Sequence, residues 1–428
     1  MIDLKNMKKK FFNNRKVAEN YFFMTFLQGA NLLIGLLLYP YLIRVLGKEA
    51  YGTYILIFSN VQFFTIFVSF GFALPALKKI SLSPNDNEVK NQTISEVFTA
   101  KIYLFALSAV VLVALIFIIP FVYTNAFFYV IIFTTLLIDI LFPSWYFQGI
   151  QKMKFVTYVN LASRILTIPV IFIFIKSSAD LLKYTLIVSL FPIAGSIYTF
   201  FYLQIKENVT IRLIAIKNLK PVFKEAIPFF WISAVNTLKA NTVTSIIGIF
   251  FNLKEVAIWD LANKIVLIPR TITMSINSAI FPNIVSNFNP SRVKKVINYN
   301  RLISIVVSLL VAALGYWAVL VLGGRDMLAA YPVAIVLSFT IYTWLVVGTL
   351  INMVFVARGK YKFVTMSYTL AFLFFIPITA IGMLIYKNII NLAVALVVSD
   401  LLVGLYCHYI IKKYEMLKKN KNPKIHSR

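Results

Sequence analysis

The chain has a single cysteine, Cys407, in 428 residues. One thiol excludes an intramolecular disulfide and any cysteine-rich metal site. Acidic residues are scarce: 15 Asp and Glu stand against 42 Lys and Arg, for a net charge of +27. Histidine occurs only as His408 and His426, at the inner end of the last apolar run and in the tail, so a buried catalytic imidazole is not expected. No glycine-rich phosphate loop is visible, which argues against ATP hydrolysis by this chain. Long polar stretches are missing too. The polar gaps run to roughly 20 residues at most, which leaves no room for a separate soluble domain.

What the chain has is apolar length. Hydrophobic residues make up 60% of it and charged residues 13%, too apolar a balance for a soluble globular protein. A helix needs about 20 apolar residues to cross the hydrocarbon core. Twelve such stretches are read near 20–43, 53–76, 97–120, 127–148, 155–175, 182–204, 227–251, 256–281, 301–322, 330–356, 363–385 and 389–411. The expectation is an all-α integral membrane protein with 12 transmembrane helices.

The basic residues orient it. Most of the Lys and Arg fall in the N-terminus, about 77–96, 149–154, 205–226, 282–300, 357–362 and the tail from Lys412. Lys and Arg resist translocation, so these segments are expected in the cytoplasm, with both termini. The segments on the other side are short, about ten residues at most, too small for an external catalytic domain. The positive charge therefore reads as loop charge beside anionic lipid headgroups, not as a nucleic-acid surface. Lys8, Lys9, Lys10, Arg15 and Lys16 precede a long span with no small-x-small cleavage site, unlike a cleavable signal. Residues 5–16 are expected to form a basic helix on the inner surface, with Phe11 and Phe12 dipping into lipid.

An internal repeat divides the chain. Lys152-Met153-Lys154-Phe155-Val156-Thr157 recurs as Lys360-Tyr361-Lys362-Phe363-Val364-Thr365, and Lys48-Glu49-Ala50 faces Lys254-Glu255-Val256 at a nearly equal offset. Six spans per half start both halves inside, so the repeat is parallel, about a pseudo-two-fold along the membrane normal. The expected organisation is a basic N-terminus at 1–19, an N-lobe at 20–204, a cytoplasmic connector at 205–226, a C-lobe at 227–411 and a basic tail at 412–428.

Charges inside spans are costly and normally face a bundle interior or a wet cavity. The basic ones are Arg164, Lys239, Lys264 and Arg270; the acidic ones are Asp139, Asp260 and Asp400. Asp139 and Arg164 each lie about nine residues, roughly 14 Å, from the inner ends of neighbouring spans, which predicts a pair. Asp260 and Lys264 have the favourable i,i+4 spacing, acid first. Lys239 and Arg270 sit at one depth on sequential spans and do not neutralise each other. Asp400 is a possible internal partner; otherwise the anion comes from a substrate. A polar face on the eighth span carries Asp260, Asn263, Lys264, Arg270 and Asn277. Gln28 and Asn31 on the first span, and Asn236 on the seventh, extend the polar lining to a cavity expected between the halves, although such residues also glue helices together.

The run Tyr39-Pro40-Tyr41-Leu42-Ile43-Arg44-Val45-Leu46-Gly47-Lys48-Glu49-Ala50-Tyr51-Gly52 resembles the first hairpin of Wzx-type polysaccharide flippases, in the polysaccharide transporter branch of the multidrug/oligosaccharidyl-lipid/polysaccharide exporter superfamily. Trp145-Tyr146-Phe147-Gln148-Gly149 and the stretch from Gly248 to Ile265 are similar to two further connections of that family, with Ala257 and Trp259 where it more often has Gly and Tyr. The resemblance implies two six-helix lobes and a cationic lumen. It also implies flipping of an undecaprenyl-pyrophosphate-linked oligosaccharide across the bacterial cytoplasmic membrane, for O-antigen, capsule or exopolysaccharide. No cofactor is implied beyond an ion gradient, usually H⁺, with Na⁺ possible. The pyrophosphate would meet Lys239 and Arg270, assisted by Lys264 and Arg164, while Asp260, Asp139 or Asp400 would couple the ion. The partners implied are the lipid-linked oligosaccharide, membrane lipids, a polysaccharide polymerase and a chain-length regulator, and no nucleic acid. The alternatives are a multidrug or cation exporter of the same superfamily, which needs more buried acid than this chain has, and a membrane enzyme acting on lipid-linked glycans, which needs acidic residues or a sizeable outside loop.

Overall fold

The computed structural model describes residues 4–286 and 288–417. Among them there are helices and no strand. In chain order the helices are α1 (Leu4–Ser69), α2 (Ala73–Leu82), α3 (Asn87–Ile118), α4 (Pro120–Thr124), α5 (Ala126–Thr134), α6 (Leu136–Leu141), α7 (Ser144–Gly149) and α8 (Met153–Phe174). There follow α9 (Leu181–Ile205), α10 (Lys220–Phe250), α11 (Leu253–Ser286), α12 (Pro290–Gly323), α13 (Ala330–Tyr342), α14 (Tyr361–Ile385) and α15 (Ile389–Lys413).

Nine helical stretches among the described residues are long and apolar enough to cross a membrane. Large apolar side chains also stay on the outside: Phe127 is 79% and Leu384 86% exposed. Such a surface is unstable in water and at home in lipid. The protein is a membrane protein.

All twelve expected stretches are helical over most of their length. The first stretch and the second as far as Ser69 form one element, α1, interrupted only at Gly47 (φ 77°, ψ 166°); the second then turns at Phe70-Gly71 (φ 42° and 72°) and ends in α2. The backbone region of Gly47 is essentially reserved for glycine, so Gly47 ends one leg of α1 and starts the next. The N-terminal residues do not make a separate surface helix. They are the first turns of α1, because nothing between Asn13 and Asn20 is a helix breaker. The side chains of Phe11 and Phe12 lie outside the described residues. The fourth stretch is broken into α5, α6 and α7, the last break falling at Phe142-Pro143. Proline there lacks the N–H that an unbroken helix requires. The tenth continues past α13 into two π-helical turns, Thr343–Val347 and Leu350–Val356.

The contacts divide the chain into two compact units, Met1–Lys254 and Glu255–Arg428. The repeat sets its boundary earlier, at 205–226. The contact boundary falls later because α10 packs along the second leg of α1. Ser59 donates to the Asn241 side-chain oxygen at 3.0 Å, and Ser245 donates to that of Asn60 at 2.7 Å. Part of the polar stripe on α10 is thus packing glue.

Within the first unit, the expected connector is not a loose loop. Thr210 N–H donates to Asn91, Arg212 N–H to Ser95 and Ile214 N–H to Thr99, while Ser95 and Thr99 donate back to the carbonyls of Thr210 and Arg212. Eight helical residues rise about 12 Å, and four extended residues span about 13 Å. Alternate residues of the segment therefore meet every fourth residue of α3. In the second unit, α12, α13, α14 and α15 bury Val333, Leu337, Phe355, Phe375 and Leu392.

Candidate functional site

In the first unit, the second leg of α1 and helices α5, α6, α7, α8 and α9 line a half-open cavity of about 390 Å³. Arg164 and Asp139 both line it. They do not form the expected pair. Asp139 bonds instead to Lys101 of α3, whose ammonium donates to a carboxylate oxygen at 2.7 Å and to the Asp139 carbonyl at 2.8 Å. Ser69 donates to the same carboxylate oxygen at 2.7 Å. The Lys101 side chain is 3% exposed and that of Asp139 is 41% exposed, so the pair stands at the cavity wall with the cation behind it. The correction has a simple cause: residue counts give depth along a helix, not the direction a side chain takes around it.

Arg164 makes no hydrogen bond or ion pair with the described residues; Tyr54 is its electrostatic neighbour. The Tyr54 and Phe58 rings stack at 6.0 Å, and Tyr184 meets Tyr54 edge-on at 5.0 Å. Gln62 and Asn160, with the hydroxyls of Thr65, Thr135, Ser144, Ser163, Ser189 and Ser196, complete the polar lining. Arg164 therefore offers an uncompensated guanidinium beside aromatic faces and neutral amides.

Elsewhere in the first unit, Lys239 is half-buried and Asn236 exposed on α10. Gln28 is exposed on α1, and the Asn31 side-chain oxygen is buried without a hydrogen-bond partner.

In the second unit, Asp260 and Lys264 form the ion pair that their spacing predicts. Asn263 donates to the Trp259 carbonyl at 3.1 Å, so its amide serves its own helix. The Arg270 guanidinium carbon lies over the Trp344 ring, 4.0 Å from its centre, and within the field of Asp400. No hydrogen bond or ion pair joins the Arg270 guanidinium to the described residues. Thr343 donates to Asp400 at 3.4 Å. The first π turn carries Trp344, and Thr349 stands between the two π turns. Thr349 accepts from Asn300 at 2.7 Å, and Asn300 donates to Asn277 at 2.9 Å. Of the polar face expected on the eighth span, Asn277 is thus tied into packing. His408 is not isolated: its ring lies 3.3 Å from Arg301. Lys239 and Arg270 fall in different units, each positioned within its own.

Reading the sequence missed Lys101, Trp344 and Asn300. Lys101 stands only four residues inside an expected span and looks like inner-face charge. Trp344 is one aromatic residue within an apolar run, and Asn300 ends a segment read as cytoplasmic, so neither carries a signal of its own.

An all-helical fold of this kind is shared with solved structures. A solved inward-facing multidrug resistance transporter of the MATE family, MOP superfamily, matches with a TM-score of 0.70 at 12% identity, over 92% of this chain and 96% of that one. The lipid II flippase MurJ in an inward closed conformation matches with a TM-score of 0.63 at 17% identity, over 92% and 87%. These likenesses define the class: a membrane protein with the helical fold of that superfamily. The family model described as "Polysaccharide biosynthesis protein" matches residues 17–288, and the chain belongs to that family. All three resembling stretches noted above lie within this match. A protein of Escherichia coli (strain K12) named "Putative O-antigen transporter" is 26% identical over 288 residues, 67% of this chain and 69% of that one. One of the same name from Shigella dysenteriae is 24% identical over 277 residues, 63% and 67%.

Proposed function

We propose that this protein flips a polyprenyl-pyrophosphate-linked oligosaccharide across the bacterial cytoplasmic membrane and is not an enzyme. The observation that carries the reading is Arg270: a guanidinium midway along α11, held over Trp344 and hydrogen-bonded to no described group. A fixed cation in low dielectric demands an anion, and a pyrophosphate suits the donor fork of arginine. Family membership and the names of the relatives support the same class of cargo.

In this reading the chain has twelve spans. The Gly47 turn makes two of one apolar stretch, and α10 and α11 cross despite their polar residues because those residues face protein and cargo. Both termini are cytoplasmic. Lys239 and Lys264 assist Arg270 as the protein alternates between inward and outward access. An ion gradient, H⁺ or Na⁺, drives the cycle through Asp400, Asp260 or Asp139. A polymerase and a chain-length regulator act on the delivered units.

The test is Arg270→Gln and Lys239→Gln in a strain that depends on this chain for its surface polysaccharide. Loss of the polysaccharide at normal protein level is expected. Unchanged polysaccharide in both variants removes these cations from the mechanism. The MATE likeness keeps one other reading open, a multidrug exporter. Drug sensitivity without a glycan defect in the deletion strain decides for it.

A further inference from the structure

The cavity of the first unit has a chemistry different from that of Arg270. Its volume, about 390 Å³, falls within the range of small-molecule sites, roughly 300–1,000 Å³. It holds one uncompensated charge, since Asp139 is neutralised by Lys101 and Arg164 by nothing described. Five further polar atoms on its wall carry no hydrogen bond among the described residues: the side-chain nitrogen of Gln62, the side-chain oxygen of Asn160, the second carboxylate oxygen of Asp139 and the hydroxyls of Ser144 and Ser189. A donor, two acceptors, two hydroxyls and a guanidinium thus share the cavity wall with the Tyr54–Phe58 stack.

Pyrophosphate is a poor match to this set. It brings about two negative charges to a single cation, and the free oxygen of Asp139 repels it. A sugar ring matches each element. Its C–H face packs on an aromatic ring, its hydroxyls donate to Asp139 and Asn160, and Gln62 donates to a ring or hydroxyl oxygen. The guanidinium then calls for one carboxylate on that sugar, which it binds by paired N–H bonds.

We propose that this cavity is a saccharide subsite that selects an acidic sugar in the cargo, with Arg164 reading its carboxylate and Phe58 supporting its ring. The proposal rests on the flippase reading for its cargo, but the subsite is testable by itself.

The test uses the full chain in nanodiscs and two soluble disaccharides, glucuronic acid linked to N-acetylglucosamine and glucose linked to N-acetylglucosamine. A hydrogen-bonded charge pair contributes about 1.5–3 kcal/mol, so the acidic disaccharide should bind roughly ten- to a hundredfold more tightly. Arg164→Gln should abolish the difference, Arg164→Lys should keep part of it, and Phe58→Ala should weaken both sugars alike. Equal binding of the two sugars by the wild type overturns the proposal, as does no binding of either, or a preference that survives in Arg164→Gln. Should Arg164→Gln fail to fold, the wild-type comparison decides alone.

A second arm follows flipping in proteoliposomes of undecaprenyl pyrophosphate carrying each disaccharide or none. If Arg164→Gln slows all three equally, the residue reads pyrophosphate, and the subsite falls while the flippase stands. If the wild type moves none of them yet prefers the acidic disaccharide, the flippase reading falls and the subsite stands.

Discussion

The Lys101–Asp139 pair is unequal, and the inequality makes a measurable prediction at the level of single residues. Lys101 is enclosed, with 3% of its side chain exposed; Asp139 looks into a cavity with 41% exposed. Asp139→Leu strands an ammonium with little but a carbonyl to meet it. A loss of about 3–5 kcal/mol is expected, the usual consequence of breaking a buried pair from one side. Lys101→Met leaves a carboxylate that the cavity can hydrate and Ser69 still bonds, for a smaller loss of about 1–3 kcal/mol. The double variant recovers most of the stability, because it buries neither charge. Unfolding midpoints of the purified protein in detergent measure all three. Equal losses from the two single variants would show that the cavity does not solvate Asp139. The existence of intramembrane charge was legible in the sequence, and so was the Asp260–Lys264 pair, since both members share one helix and one period. The partner of Asp139 was not, because it lies on a helix whose rotation no residue count supplies.

At the scale of elements, the connector carries the clearest consequence. Its segment Thr210–Ile214 is held to α3 by side chains of Asn91, Ser95 and Thr99. Each bond contributes about 0.5–1.5 kcal/mol. The triple variant Asn91→Ala, Ser95→Ala, Thr99→Val removes them without touching the apolar contacts of Ile211 and Ile214. Local opening should rise, and with it trypsin cleavage after Arg212 and Lys217, by about tenfold or more. Unchanged helical circular dichroism would confirm that the variant still folds; an unchanged cleavage rate would mean that apolar packing alone holds the segment. The sequence marks this stretch only as polar and basic, hence a loop. What orders it is a match between extended and helical rise, a relation between two segments that neither shows by itself. The helices were legible because long apolar runs in lipid must satisfy their own backbone. The break at Pro143 had its cause in plain sight. The π turns had none, since one extra residue in a turn leaves the hydropathy of the run unchanged.

At the scale of the whole molecule, the charge pattern predicts one orientation, and the single cysteine makes it straightforward to test. Cys407 is fully buried and hydrogen-bonded to Ser367 at 3.4 Å, so Cys407→Ala leaves a small apolar side chain in an apolar place. On that background one new thiol reports one location. Thr124 is exposed at the end of α4, between the third and fourth expected spans; Asn218 is exposed between α9 and α10, within the basic connector. If Lys and Arg hold their segments in the cytoplasm, Thr124→Cys reacts with a membrane-impermeant maleimide in intact spheroplasts, and Asn218→Cys reacts only after the membrane is opened. The opposite pattern would invert the protein. It would then point the basic segments at the wrong leaflet and deny Arg270 a cytoplasmic cargo. Labelling of both sites from outside would mean that an odd number of crossings separates neither of them from the other, and one of the helices between α5 and α9 would have to leave the membrane. The expected result requires three crossings between these two residues, supplied by the broken stretch α5–α7, by α8 and by α9.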